Sequence, residues 1–265
     1  MTPPTQLFHC YPEGAKTIFR EWRLWFSALT DLNDPFEGMP SFVGVVKGFV
    51  DETLRRDFAF QRPSAPSWVQ YLKTMEPQVS RLTLECQHAM QERFRAMSRQ
   101  QFRFFCFTAK KPDVAMWGHY AACHRGFVIE FHPEHPLFCD LKEVVYQKNR
   151  PEPAQPGDFQ YLQVKDDSWR SESEYRLIKR VGELEEGERD NKRLCFIPLP
   201  PEAVKAVYFG WQMPTETMDQ MISDVGVRPI QKHVMLPHIS QYALEAFPFD
   251  KVTPLAGDIR QALRF

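Results

Sequence analysis

The segment Trp169-Arg170-Ser171-Glu172-Ser173-Glu174-Tyr175-Arg176 sets two carboxylates beside two guanidiniums in a short run. Read as a strand from Ser171 onward, it places Glu172, Glu174 and Arg176 on one face and Ser173, Tyr175 and Leu177 on the other. The two carboxylates would then leave the backbone about 6–7 Å apart. Acids at that spacing perturb each other's proton affinity, and a neighbouring guanidinium opposes the effect. Such a pair suits general-base work or the stabilisation of a developing positive charge. A Glu–Arg ladder on a solvated strand would give the same pattern and do neither.

Two other stretches interrupt apolar runs with polar groups. His9 lies in Leu7-Phe8-His9-Cys10-Tyr11, and Trp25-Phe26-Ser27 is followed by the turn cluster Asn33-Asp34-Pro35-Phe36-Glu37-Gly38. Further on come Phe107-Thr108, Met116-Trp117-Gly118-His119-Tyr120 and Arg125-Gly126. Each has a structural alternative. A histidine in an apolar strand is commonly a hydrogen-bonded core residue, and aromatics such as Trp117 and Tyr120 on a short helix commonly pack. Asp34 must be extended before Pro35, and the Asn33 side chain can satisfy turn amides. His119 and Cys123 have a spacing that can bring two ligands to one metal, with His124, His132, His135 and Cys139 nearby. No Cys-x-x-Cys accompanies them, and His132 to His135 falls in a proline-broken loop, so no metal centre is expected. Asp34, Glu37, Glu172 and Glu174 would be the acids of a divalent-metal hydrolase, a competing reading.

The elements that must position these residues are short strands and a few helices. Strands are expected at 7–11, 22–28, 102–108, 126–131, 143–146, 174–180, 194–198 and 204–209, with a helical turn over 14–19. Residues 48–100 read as helical: Val79, Leu82, Cys86, Met90, Phe94 and Met97 recur at three- and four-residue spacing. Residues 61–67, with two prolines, divide that region. A short helix over 112–122 and a last one over 215–224 follow, with loops at 151–157 and 183–190. Short strands without regular βαβ alternation point to an α+β fold with a mostly antiparallel, split sheet. The expectation is one domain over 1–265 with a helical insertion at about 48–100.

Composition bounds the partners. Thirty-three basic against 34 acidic residues give a formal charge of −1, which argues against a long nucleic-acid footprint or a membrane-surface binder. Nucleic acid as an acceptor of a single modification stays open. No signal-peptide pattern or membrane span is expected, and six scattered cysteines without paired spacing read as reduced thiols of a cytoplasmic protein.

Taken in order, LWFSALTDLNDPFEG, CFTAKKPDVAMWGHYAACHRGFVIEF, VVY and KDDSWRSESEYRLI resemble the bacterial domain of unknown function 2971 family. The resemblance runs from about residue 7 to 180 and rests on the Asn-Asp-Pro-Phe-Glu turn, the Met-Trp-x-x-Tyr helix and the Trp-x-x-Glu-x-Glu-Tyr-Arg strand. That family is similar to the ADP-ribosyltransferase-like group, which binds NAD in a cleft between two small sheets. The resemblance implies an enzyme that uses NAD as substrate, cleaves the nicotinamide–ribose bond and passes ADP-ribose to an unknown acceptor or to water. It further implies His9, Glu172 and Glu174 as catalytic groups. NAD would be held by His9, Phe26, Ser27, Asn33, Asp34, Thr108, Trp117, Tyr120 and Arg176, with Ser27 and Thr108 competing for the middle position. A toxin or phage-defence role accompanies it. The alternative implied by the same fold is a sensor module that binds NAD or another nucleotide without turnover.

Overall fold

A computed structural model describes residues 4–60, 67–153, 157–189 and 192–250. In chain order the strands begin with β1 (Leu7–Tyr11), β2 (Arg23–Phe26), β3 (Phe102–Thr108) and β4 (Phe127–Phe131). They continue with β5 (Lys142–Glu143), β6 (Val145–Gln147), β7 (Val164–Asp166), β8 (Glu174–Arg180) and β9 (Glu185–Arg189). The last are β10 (Lys192–Pro198), β11 (Val204–Phe209), β12 (Gln231–Pro237) and β13 (Leu244–Pro248). The α-helices are α1 (Ile18–Glu21), α2 (Val43–Phe60), α3 (Trp68–Gln101), α4 (Val114–Tyr120) and α5 (Thr215–Val225). The protein is α+β.

The chain divides into two compact units. The first comprises residues 1–27, 104–144 and 170–265; the second comprises 28–103 and 145–169. The helices expected as an insertion belong to the second unit.

An eight-stranded mixed sheet in the order β13-β12-β11-β4-β1-β3-β8-β5 forms the first unit's frame. β11 and β12 run parallel, whereas β1 is antiparallel to both β4 and β3. A three-stranded sheet, β2-β10-β9, supplies a second layer. The register sorts side chains by parity. Leu7, Tyr11, Phe105, Phe107, Phe127, Ile129, Phe131, Leu177, Val207 and Phe209 face the main core, which also takes in Leu24, Phe26 and the buried side of α5. Phe8, Val128 and Met235 face the other way, under Trp117 and Ala121 of α4. β12 and β13, whose strand character the residue pattern did not announce, extend this sheet at one edge. β9 falls where a loop was expected; its charged sequence pairs antiparallel with β10.

α4 ends in three consecutive left-handed residues, Ala122, Cys123 and His124 (φ 49°, 51° and 66°), before the chain enters β4. None is glycine, so the turn costs backbone energy that its neighbours must offset. Gly126 donates to Ala121 and accepts from Gly210, with N···O distances of 2.8 and 2.9 Å. A Cβ at Gly126 would stand 2.0 Å from the Tyr11 carbonyl oxygen, and one at Gly210 would stand 2.0 Å from that of His124. Both neighbours are backbone and cannot swing aside. Gly126→Ala is therefore expected to lower stability by about 3 kcal/mol. Urea denaturation showing a loss under about 1 kcal/mol would contradict this account of the junction.

The second unit is built on α2 and α3, which bury Phe42, Val46, Val50, Leu54 and Tyr71 between them. α3 opens on a capping box: Ser67 Oγ accepts from the Gln70 amide, and Gln70 Oε1 accepts from the Ser67 amide. β6 and β7 pair in parallel, and the buried Tyr161 hydroxyl meets Ser98 Oγ of α3 at 2.7 Å. Among the described residues no helix is long and apolar enough to cross a membrane.

Candidate functional site

The entry into β8 is built differently from a continuous strand. Residues Asp167–Glu172 form a 3-10 turn, Ser173 is left-handed (φ 46°), and the strand begins at Glu174. The expected alternation of Glu172, Glu174 and Arg176 along one strand face is therefore corrected: it holds for Glu174 and Arg176, while Glu172 is aimed by the turn. A serine in the left-handed region costs about 1 kcal/mol or more. Three bonds hold it there. Thr108 Oγ1 donates to the Glu172 carbonyl (2.6 Å), the Ala109 amide to the Ser173 carbonyl (3.0 Å), and the Ser173 amide to the Arg170 carbonyl (3.2 Å). The end of β3 thus fixes the backbone of both acids.

The carboxylates have different partners. Tyr120, on the last turn of α4, donates its hydroxyl to Glu172 Oε1. Asp113 caps the start of the same helix by accepting from the Met116 amide (2.9 Å), so α4 is anchored at the end opposite Tyr120. Arg176 grips Glu174 with two bonds, Nε to Oε1 at 2.7 Å and Nη2 to Oε2 at 3.1 Å. Glu172, Glu174 and Arg176 are 8, 5 and 1% exposed. The Cys10 thiol is pushed up to about 12, by burial first and then by the negative charges of Asp113 and Glu172. The thiol is protonated, and strand alternation puts Cys10 on the face of Phe8, the acids' side of the sheet.

His9 lies elsewhere. Parity puts it with Leu7 and Tyr11 on the core face, whereas Glu174 and Arg176 alternate with Tyr175 and Leu177, which pack into that core. Its ring is flanked by Tyr11, Phe105 and Phe107, and Nδ1 is 2.5 Å from the Cys106 carbonyl. Burial pulls its pKa down to about 4, against the raising effect of that hydrogen bond, so the ring is neutral and donates to Cys106. A site shared by His9 and Glu174 is thus corrected: they face opposite sides of the sheet. Phe26 (2% exposed, against Phe105) and Trp117 (1% exposed, stacked with His124) are core residues and have no open ring face for a nicotinamide. Ser27 bridges to Phe104 through its backbone. Of the expected set, the structure brings together Thr108, Tyr120, Glu172, Glu174 and Arg176.

Asn33 and Asp34 belong to the second unit. Asp34 is buried, and its Oδ1 accepts from the Phe36 amide (2.9 Å). Glu37 is buried as well, and the left-handed Gly38 closes the turn. Among the described residues no group of three or more His, Cys, Asp or Glu is placed to hold a metal ion.

The residue pattern also passed over a polar cluster on the acids' side of the large sheet. Glu130 accepts from Lys205 Nζ and from the Tyr208 hydroxyl, both at 2.6 Å. Tyr208 stacks with His233 (4.9 Å, 14°). Burial pushes the Tyr208 phenol well above its ordinary range, with Glu130 adding to it; burial and then Lys111 pull His233 down. The signal was present: Glu130 is the one charged residue in Phe-Val-Ile-Glu-Phe, a strand buried throughout.

Compared with protein-family models, with curated proteins and with solved structures, the chain finds no match.

Proposed function

We propose that the protein cleaves NAD at the nicotinamide–ribose bond and transfers ADP-ribose, with Glu172 as the charge-bearing group. One observation carries this reading. The hydroxyl of Tyr120, from the Met-Trp-x-x-Tyr helix, meets the carboxylate of Glu172, from the Trp-x-x-Glu-x-Glu-Tyr-Arg segment. Two of the three motifs on which the resemblance rests thus converge on one acid. In the reaction the C–N bond to nicotinamide breaks and its electron pair leaves with the pyridine, which departs neutral. Positive charge develops on the ribose as in glycoside cleavage, and a fixed carboxylate stabilises it where it forms. The acceptor then supplies an electron pair to the anomeric carbon and loses its proton.

Tyr120 holds Glu172 at one oxygen and restricts its rotamer, which reduces reorganisation in the transition state. In this reading Arg176 and Glu174 are positioning residues that lock the first turn of β8.

The bidentate pairing of Glu174 favours a second reading, a nucleotide-binding module without turnover, because an acid neutralised by its own arginine stabilises little charge on a ligand. Incubating the full chain with NAD separates the two. Nicotinamide release that depends on added cell extract indicates transfer, and release without extract indicates hydrolysis. Saturable NAD binding with no nicotinamide release would leave the binding module. Tyr120→Phe is expected to slow release about tenfold or more, since it removes one hydrogen bond to a charged group.

A further inference from the structure

The large sheet has two edges, and they are finished differently. β5, at one end, is two residues long, and both Lys142 and Glu143 are exposed. Short length and charge are how native sheets keep an edge from pairing with another chain. β13, at the other end, is five residues long and carries one charge, Glu245, which meets His238 Nε2 of its own hairpin at 3.3 Å. Ile239 and Tyr242 are fully exposed at the hairpin tip, and Phe247 is 37% exposed. Among the described residues no strand lies outside β13.

The hairpin's hydrogen bonds determine which backbone groups that edge presents. The His238 amide donates to the Ala243 carbonyl at 2.9 Å. Bonded pairs recur at every second position of an antiparallel ladder, so Leu236–Glu245 and Val234–Phe247 exchange bonds within the hairpin. Pro237–Leu244, Met235–Ala246 and His233–Pro248 are the alternate pairs, whose N–H and C=O groups point away from each other. Both prolines fall in that set, where the hairpin loses no bond to a missing N–H. The outer edge of β13 therefore offers the N–H groups of Leu244 and Ala246 and the carbonyls of Leu244, Ala246 and Pro248.

We propose that β13 pairs antiparallel with β13 of a second copy of the chain, on a two-fold axis through Ala246. The two Ala246 residues then exchange bonds, and each Leu244 amide donates to the Pro248 carbonyl of the other copy. Every outward N–H is used, and the Pro248 nitrogen needs no proton. Moving the axis to Glu245 keeps the same number of bonds but sets two like carboxylates directly opposite, which is destabilising. Moving it to Phe247 leaves only the Ala246 amides bonded within the strand. With the axis at Ala246, Glu245 faces Phe247 of the other copy. Such an isologous contact uses up both β13 edges and closes at the dimer. One short strand belongs at the small end of interface sizes, below about 1,200 Å², so the dimer is reversible and concentration-dependent. The pairing is independent of any NAD chemistry.

Sedimentation equilibrium of the full chain is expected to give a reversible monomer–dimer equilibrium. The Leu244 and Ala246 amides should exchange with deuterium more slowly as the protein concentration rises. Ala246→Pro removes an outward donor that the hairpin does not use. It should weaken association about tenfold or more, since two hydrogen bonds go, and leave the melting temperature near that of the wild type, since edge strands tolerate proline. Phe247→Lys and Phe247→Glu lose the same ring and test the register. Lysine opposite Glu245 of the other copy should associate about fivefold or more tightly than glutamate in the same place. A monomer throughout the high-micromolar range, or assembly beyond a dimer, would overturn the pairing. So would a dimer whose Leu244 and Ala246 amides exchange as they do in the monomer. Equal association of Ala246→Pro and the wild type, or of the lysine and glutamate variants, would overturn it as well.

Discussion

Glu172→Gln is expected to cut nicotinamide release about a hundred- to thousandfold while the protein melts where the wild type does. The size follows from removing one electrostatic partner of a developing charge, about 3–4 kcal/mol of transition-state stabilisation. The unchanged melting follows from what glutamine preserves. Its amide oxygen still accepts from Tyr120, its backbone carbonyl still accepts from Thr108, and its size still fills the place of a residue 8% exposed. Only the negative charge goes. NAD affinity should change little if Glu172 acts mainly on the transition state, so the loss belongs in kcat rather than KM. A Glu172→Gln protein that releases nicotinamide at the wild-type rate would end the assignment, whatever the wild-type acceptor proves to be.

Arg176→Met is expected to act on the fold. The guanidinium is 1% exposed and forms two hydrogen bonds to a carboxylate whose side chain is 6% exposed. Removing one partner of a buried pair costs about 3–5 kcal/mol, because the remaining charge has lost its counterion in a poor solvent. Replacing both, as Glu174→Leu with Arg176→Met, should recover much of that loss, since two apolar side chains of similar volume need no counterion. Urea denaturation of the two single variants and the double variant gives the coupling directly. Single-variant losses below about 1 kcal/mol, or strictly additive losses, would show that the pair is not what steadies β8.

These two residues also show how far the amino-acid sequence carries. β1, β3, β8 and β11 lie where 7–11, 102–108, 174–180 and 204–209 were expected, because runs such as Phe-Arg-Phe-Phe-Cys-Phe-Thr are strand-forming wherever they sit. α3 was legible from its spacing and from the Ser67–Gln70 box. β12 was not, because Gln-Lys-His-Val-Met-Leu-Pro shows its apolar residues only at the centre, and β9 was not, because an edge strand needs no apolar face. At the site, parity arguments identified the acids but not their directions. Ser173 adopts a conformation usually taken by glycine, and nothing in its identity announces that. His9 failed for the complementary reason: alternation alone says that it opposes Phe8 and Cys10, but not which side of the sheet carries the acids.

The place of β1 in the large sheet has a consequence for how the chain matures. The first of the described strands to be synthesised ends up enclosed, with Phe8 opposite Thr108 on one side and Glu130 on the other. Until residues 102–131 have emerged, Leu7–Tyr11 has neither of its ladders, and both its backbone edges and its apolar side chains wait unprotected. Synthesis at about 5–20 residues per second makes that wait several seconds. A nascent chain in this state is a template for pairing with another copy of itself. Its yield on overexpression should therefore depend on translation speed and on holding chaperones more than on the stability of the finished fold.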